Sequence, residues 1–426
     1  MSDFQKRLAR PWLADTDQAE QFAANFQRNI DRLGDSGTGP VVVMTDDRVA
    51  FLAGVLAAIA QGRAVFLFNA QWGETEVAEA MAQVPEGAFW LGESPREGHS
   101  STTTPAEYAE YANGVMIPTG GTGGRVKFAV HTWESLTASV AGYREFWKAD
   151  SLHAVCPLPV CHIGGLMLAL RTWVTGGRLW LTDSKLETIP PSGFPLVQAH
   201  CSLVGAQLKR VLEAPGHWVG DCAEVLVGGG PSSGELVAHA LALGLRLHVA
   251  YGLTEAAATV ALARAGDSLV GSPEGAVLPH WKAAIREETI ALAGPALFRG
   301  YWGQPPLAGD EWLSGDRGVI TSSGRLRVLG RRDRVIITGG KKVDADELER
   351  RVADWPEVAE VVIWGESDAT WGQRVTAAVV GQITTSELVE LAREHLMPEM
   401  RPKHWHILDT IPRTMNGKVD WRSLFR

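Results

Sequence analysis

The chain has 426 residues with 40 Lys and Arg against 49 Asp and Glu, a net charge of −9 that disfavours nucleic acid as a partner, in a length sufficient for two or three domains. At 45% hydrophobic and 21% charged residues the composition lies near the globular average, which excludes disorder, coiled coil and collagen-like architectures. Cys156, Cys161, Cys201 and Cys222 form no CxxC pair and are too few for a disulfide framework, so buried thiols in a reducing compartment are expected.

The N-terminal stretch MSDFQKRLARPWLADTD is broken by charge before any apolar run develops, so no secretory signal is expected and the cytoplasm is the expected location. Val41 begins a VVVM strand, a helix runs from Ala50 to Ala60, AVFLF at Ala64 is a second strand, and Glu74 to Met81 is a second helix. The most apolar stretch, Phe51 to Phe68, is split by Gln61, Gly62 and Arg63, so no integral membrane segment is expected. Ser94 to Pro105 is polar and reads as an exposed loop before a short strand, Gly114 to Ile117.

Beyond it, Ala154 to Pro157 precedes an apolar helix, Gly165 to Val174, and Arg178 to Thr182 is the next strand; Val225 to Val227 and Leu245 to Ala250 follow, each ending in small residues. Strands alternating with helices indicate βαβ units and an α/β fold with mostly parallel sheets flanked by helices, whose ligands gather at the carboxyl ends of the strands.

From Glu311 the pattern changes. Leu326 to Leu329 and Arg334 to Thr338 alternate like antiparallel strands around the charged turn Gly330–Asp333, followed by a helix at Asp344–Ala353, a strand at Val358–Trp364, a helix at Ser386–Leu396 and a strand at Trp405–Leu408. The expected domains are therefore 1–332 and a small α+β unit, 333–426, long enough to fold alone.

The segment Pro118-Thr119-Gly120-Gly121-Thr122-Gly123-Gly124-Arg125-Val126-Lys127 offers main-chain N–H groups, two hydroxyls and a cation to a nucleotide polyphosphate. It is not a Walker A loop, because no Gly-Lys-Ser/Thr follows. Taken alone, it reads equally well as a flexible glycine turn.

In context it resembles the phosphate signature of the adenylate-forming superfamily, which includes acyl-CoA synthetases, nonribosomal peptide adenylation domains and luciferases. Tyr251-Gly252-Leu253-Thr254-Glu255, Ser314-Gly315-Asp316 leading to Gly330-Arg331-Arg332-Asp333, and Pro412 to Lys418 match further motifs in order. The resemblance implies a large N-terminal domain joined to a small mobile C-terminal one, with ATP, Mg²⁺ and a thiol co-substrate such as CoA.

Residue by residue, the resemblance places Thr119 to Gly124 and Lys127 on the phosphates, Gly229, Gly230 and Pro231 at adenine, Tyr251 and Gly252 against the purine, and Thr254 near the α-phosphate. It gives Glu255 the metal, and Asp316 and Arg331 the ribose. Lys418 would bridge the substrate carboxylate and α-phosphate, where two anions meet and a cation is required. Arg332 or Asp333 would be the hinge whose rotation brings Gly339 and Gly340 towards a pantetheine arm.

A narrower resemblance concerns the o-succinylbenzoate–CoA ligase subfamily of menaquinone and phylloquinone biosynthesis. It rests on His131-Thr-Trp133, Pro157 to Leu166, Arg171, Ser202 to Leu208 and a shortened N-terminal region. That diacid retains one carboxylate after the other is activated, so its pocket needs polar partners; His131, His162, Arg171 and Gln207 are the candidates. Arg171 reads equally as a structural ion-pair partner. Another aryl- or acyl-CoA synthetase and a free-standing adenylation enzyme loading a carrier protein are the alternatives, and a homo-oligomer is left open.

Overall fold

The computed structural model describes residues 4, 7–8, 10–93, 111, 113–120, 125–214, 216–230, 234–264, 273–413 and 419–424. The first sheet is built from β1 (Val41–Met44), β2 (Val65–Leu67), β3 (Phe89–Gly92), β4 (Val115–Gly120) and β5 (Val126–His131) in the order β3-β1-β2-β4-β5. Its pairs are parallel except the β4–β5 hairpin. Helix α1 (Thr16–Asp35) starts at Asp15, whose side chain accepts from Gln18 N, and buries Phe22, Phe26, Ile30 and Leu33. That spacing is one amphipathic face. Helix α2 (Arg48–Ala60), capped by Asp47, is apolar all round and buried from Phe51 to Ala58, while α3 (Glu74–Met81) lies at the sheet's margin.

The second sheet takes β6 (His153–Cys156), β7 (Leu179–Leu181), β8 (Ala199–Val204), β9 (Glu224–Gly228) and β10 (Leu247–Leu253) as a parallel set. Helices α4 (Trp133–Trp147), α5 (Ile163–Thr175), α6 (Gly205–Leu212) and α7 (Gly234–Ala242) alternate with them. From β11 (Ala258–Arg264) the sheet turns antiparallel and continues through β12 (Glu274–Val277), β13 (Lys282–Arg286), β14 (Thr289–Ala293), β15 (Glu311–Ile320) and β16 (Leu326–Arg331). The parallel expectation thus holds for β6 to β10, and the antiparallel character begins well before Glu311. One core joins the two sheets, with Val41, Leu52, Leu136, Leu166, Leu262 and Leu292 in a single buried cluster.

A 3-10 turn, Arg332–Arg334, leads from β16 to a third sheet. This sheet comprises β17 (Val335–Thr338), β18 (Lys341–Asp344), β19 (Val358–Asp368), β20 (Gly372–Gly381) and β21 (His404–Ile407), backed by α8 (Ala345–Ala353) and α9 (Thr385–His395). It has its own core around Ile336, Leu348, Ile363 and Leu388. Arg317 reaches across to Asp344 at 2.6 Å, and Arg331 N donates to Asp346 Oδ2. Helix α10 (Trp421–Leu424) ends the described chain.

All four cysteines are buried and free, as the composition suggested; burial pushes the Cys161 thiol up to about 12. Among the described residues no helix is long and apolar enough to cross a membrane.

Candidate active site

The glycine-rich segment spans an antiparallel pair of strands: the strand expected to end at Ile117 runs on to Gly120 in β4, and Val126 opens β5. Thr119 pairs with Lys127 and Gly120 with Val126, so Thr119 and Gly120 belong to β4 and Lys127 lies directly across from Thr119. Gly121, Thr122, Gly123 and Gly124 lie outside the described residues, as do Pro231 and Lys418. Lys127 Nζ stands 5.5 Å over the ring of Tyr301, within cation–π range.

Tyr301 is the link that sequence reasoning did not find. Its Oη donates to Glu255 Oε1 at 2.7 Å, while Phe298 N donates to the Glu255 carbonyl. Burial, reinforced by the Glu255 charge, raises the Tyr301 phenol above its ordinary range and keeps it protonated as a donor. Lys127, Tyr301 and Glu255 thereby form one chain from the hairpin to the end of β10.

The expected strand ending at Ala250 continues through Leu253, so Tyr251 and Gly252 are strand residues and Thr254–Ala256 is a 3-10 turn. A bulge falls between Tyr251 and Gly252, and a Cβ at Gly252 would stand 2.0 Å from Ala258 O. No side chain fits there, so glycine is required by the bulge that aims Tyr251 and Glu255. Tyr251 Oη donates to Asp316 Oδ2 at 2.7 Å, and Arg331 Nη1 lies 3.4 Å from Asp316 Oδ1. These three come together although β10 is far in sequence from the adjacent strands β15 and β16. Burial raises the carboxyl of Asp316, opposed by the Tyr251 hydrogen bond and the Arg331 charge.

Arg331 also holds Asp333 at 3.0 Å, and Arg332 and Asp333 share the 3-10 turn. Gly229 has φ +85° in the turn after β9, with Gly230 beside it. Gly339 and Gly340 have φ of +56° and +78° at the β17–β18 turn, where Gly339 N donates to Trp371 O.

The four candidate acyl residues separate. His131 is fully buried; its Nε2 donates to the Thr254 carbonyl at 2.7 Å and its Nδ1 lies 3.0 Å from Ser135 Oγ. Both ring nitrogens are engaged, and burial lowers its pKa to about 4; it supports Thr254 and does not present itself to a ligand. Gln207 is likewise corrected. Its Oε1 accepts from Val204 N, and its Nε2 donates to the carbonyls of Ser184 and Pro157, so its amide secures main chain at the start of α6. His162 is the half-buried N-cap of α5.

Arg171, midway along α5, is 4% exposed and has no carboxylate partner among the described residues. Its guanidinium lies 3.6 Å over the ring of Tyr143 and Nη2 donates to Thr259 Oγ1, while Nε meets no hydrogen-bond partner among the described residues. Among the described residues, then, Arg171 forms no ion pair. Tyr143 is itself fixed by His200 Nδ1, 2.8 Å from its Oη.

A family model described as AMP-binding enzyme matches residues 90–302, and one described as AMP-binding enzyme C-terminal domain matches residues 347–418. The chain belongs to the AMP-binding enzyme family. Among its relatives in that family, a protein of Escherichia coli (strain K12) named 2-succinylbenzoate–CoA ligase is 30% identical over 334 residues, covering 75% of this chain and 69% of the relative. A protein of the same name from Bacillus cytotoxicus is 29% identical over 340 residues, covering 72% of this chain and 69% of the relative. The solved o-succinylbenzoate CoA synthetase of Bacillus subtilis, in complex with its acyl-adenylate intermediate, superposes with a TM-score of 0.84 at 21% identity, covering 100% of this chain and 98% of that one. This AMP-binding enzyme thus shares its whole fold, both domains included, with that synthetase.

Proposed function

We propose that the protein is an ATP- and Mg²⁺-dependent 2-succinylbenzoate–CoA ligase, which forms an acyl-adenylate and then transfers the acyl group to CoA, acting in the cytoplasm in menaquinone or phylloquinone biosynthesis. The observation that carries the substrate assignment is Arg171, a buried cation without a counter-charge among the described residues. A buried charge left unpaired is costly, by several kcal/mol in general, and a substrate carboxylate would satisfy it through charge-assisted hydrogen bonds. The diacid supplies that group from its aromatic end while its succinyl carboxylate is activated. The names of the relatives support the same reading.

In this reading Tyr251 packs on the purine and Asp316, held by Tyr251 and Arg331, accepts from the ribose hydroxyls. Lys127 and Gly121 to Gly124 receive the phosphates, and Gly229 to Pro231 border adenine. Glu255 fits a hard divalent cation, since it brings carboxylate oxygens to the end of β10 beside the phosphate hairpin. A magnesium ion held there would offset charge on the phosphates and on departing pyrophosphate. Thr254, fixed from behind by His131, faces the α-phosphate, and Lys418 joins the two reacting anions. The 333–426 unit then turns about Arg332 and Asp333, and Gly339 and Gly340 let the pantetheine arm pass close to main chain.

The test is turnover of the purified protein with ATP, Mg²⁺ and CoA across aryl, fatty, amino and dicarboxylic acids, read by pyrophosphate release and by mass of the thioester. 2-Succinylbenzoate should react, with benzoate, fatty acids and amino acids far behind, because each leaves Arg171 unmatched. Silence with this diacid and turnover of another acid would sink the substrate assignment.

A further inference from the structure

One side chain outside the expected site shares the unusual state of Arg171. His280, in the turn between β12 and β13, has both ring nitrogens buried and without a hydrogen-bond partner among the described residues. Its ring lies against Gly142 so closely that a Cβ there would stand 1.7 Å from His280 Nδ1. Arg171 rests on Tyr143, the next residue of α4, so the guanidinium and the imidazole flank one step of that helix.

The turn is pinned. Leu278 N donates to Val260 O, Trp281 N to Leu278 O, and Trp281 Nε1 to the carbonyl of Thr259, the residue whose hydroxyl receives Arg171. Gly294, just after β14, closes against His280 O, with 2.3 Å left for any Cβ. Thr259 therefore sets the relative position of Arg171 and His280 through its two ends. Buried polar nitrogens are almost always paired in folded proteins. His280 Nδ1 faces Gly142, so Arg171 Nε and His280 Nε2 are the two nitrogens left for a ligand, and a carboxylate has two oxygens, one for each.

Resting on the 2-succinylbenzoate reading, we infer that His280 is the second partner of the substrate's aromatic carboxylate, opposite Arg171, and that it holds this group as an imidazolium. In the free protein, burial and then the Arg171 charge lower His280 to about 4, so the ring is neutral at pH 7. The charged group that faces it is Arg171 from α5; α4 brings Gly142, the next residue Trp281 brings its ring, and Gly294 follows β14 against its carbonyl. An arriving carboxylate cancels the field of Arg171 and favours the charged ring. Binding then takes up one proton from solvent, and affinity for the diacid rises as pH falls from the raised pKa of the complex towards 4. Lysine and arginine could not perform this switch, since their charge is permanent near neutrality.

The experiment measures KM for 2-succinylbenzoate, for 4-oxo-4-phenylbutanoate, which lacks the aromatic carboxylate, and for ATP, in wild type and His280→Gln between pH 6 and 8. Wild type should show a diacid KM that falls several-fold from pH 8 to 6. His280→Gln should raise the diacid KM about tenfold at pH 6.5, on the order of one charge-assisted hydrogen bond, and flatten its pH dependence. KM for the monoacid and for ATP should stay within twofold, which also shows that the variant is folded.

Calorimetry of wild-type protein in two buffers of different ionisation heat needs no variant. It should find about one proton taken up per diacid bound below pH 7 and none for the monoacid. Absence of proton uptake, or equal losses for diacid and monoacid in His280→Gln, overturns the inference. Wild-type protein inert towards 2-succinylbenzoate overturns the substrate reading itself, a failure visible before any variant is made.

Discussion

Tyr301 donates its phenolic hydrogen to Glu255 across 2.7 Å, and the same ring carries Lys127 on its face at 5.5 Å. One aromatic side chain thus ties the cation of the phosphate hairpin to the carboxylate at the end of β10. Tyr301→Phe keeps the ring and removes the hydroxyl, leaving a buried carboxylate short of one donor. A hydrogen bond to a charged group contributes about 1.5–3 kcal/mol to stability, so the thermal midpoint should fall by a few degrees, and kcat/KM for ATP should fall about tenfold as Glu255 loses the donor that orients it. Unchanged kinetics across a Mg²⁺ titration would remove Tyr301 from the site.

Glu255→Gln removes one charge at nearly constant volume. It should weaken Mg²⁺-dependent turnover strongly without unfolding the chain, as read by pyrophosphate release against Mg²⁺ concentration alongside circular dichroism. A metal dependence identical to wild type would exclude Glu255 as a ligand.

Lys418→Ala should severely lower acyl-adenylate formation while leaving thioester formation from supplied acyl-adenylate much less affected, since its cation is needed only where two anions meet. The two half-reactions are measured separately, by pyrophosphate release and by CoA consumption. Equal losses in both would argue against a domain rotation between them.

Arg171→Met preserves length and apolar volume but removes the buried charge. The diacid KM should rise about 100-fold, on the order of a lost buried charge pair, with KM for ATP unchanged; 4-oxo-4-phenylbutanoate should gain relative to the diacid. Because the guanidinium has no carboxylate partner among the described residues, the thermal midpoint should be unchanged or higher. A large loss of stability with the diacid preference intact would return Arg171 to a structural role.

Burial holds His131 at about 4 and His200 at about 3, the latter with added repulsion from Arg171. Both values lie below the ordinary value of about 6.5, so protonation favours the unfolded chain. The stability contributed by these neutral rings is complete above about pH 6.5 and is lost as pH falls towards 4. At ~1.4 kcal/mol per pH unit and group, the two together should remove roughly 4 kcal/mol by pH 5. Urea midpoints between pH 7.5 and 5 test this, and a flat profile would show that neither ring is held neutral by the fold.

The sequence by itself determined the ordered motifs and the local periodicities. Glu74–Met81 and Val41–Met44 were legible to the residue, because an amphipathic or wholly apolar run bounded by Gly, Pro or charge has one favourable conformation. Tyr251, Asp316 and Arg331 were assembled only by the resemblance of their motifs, and the structure brings those three together. The long helices Thr16–Asp35 and Trp133–Trp147 were not read, and neither were the antiparallel pairings of β11 to β14. Their stability comes from the partners they cover more than from their own residues.

Only the tertiary structure separated the four acyl candidates. Gln207 and His131 have polar side chains of the right type, yet packing placed main-chain carbonyls and amides within their reach and engaged them fully. Arg171 and His280 were left with unmatched nitrogens, a difference that depends on which groups the fold brings within about 3 Å. Their charge states were decided in the same way. Burial and a neighbouring guanidinium, neither visible in a linear chain, make His280 neutral and ready to be charged.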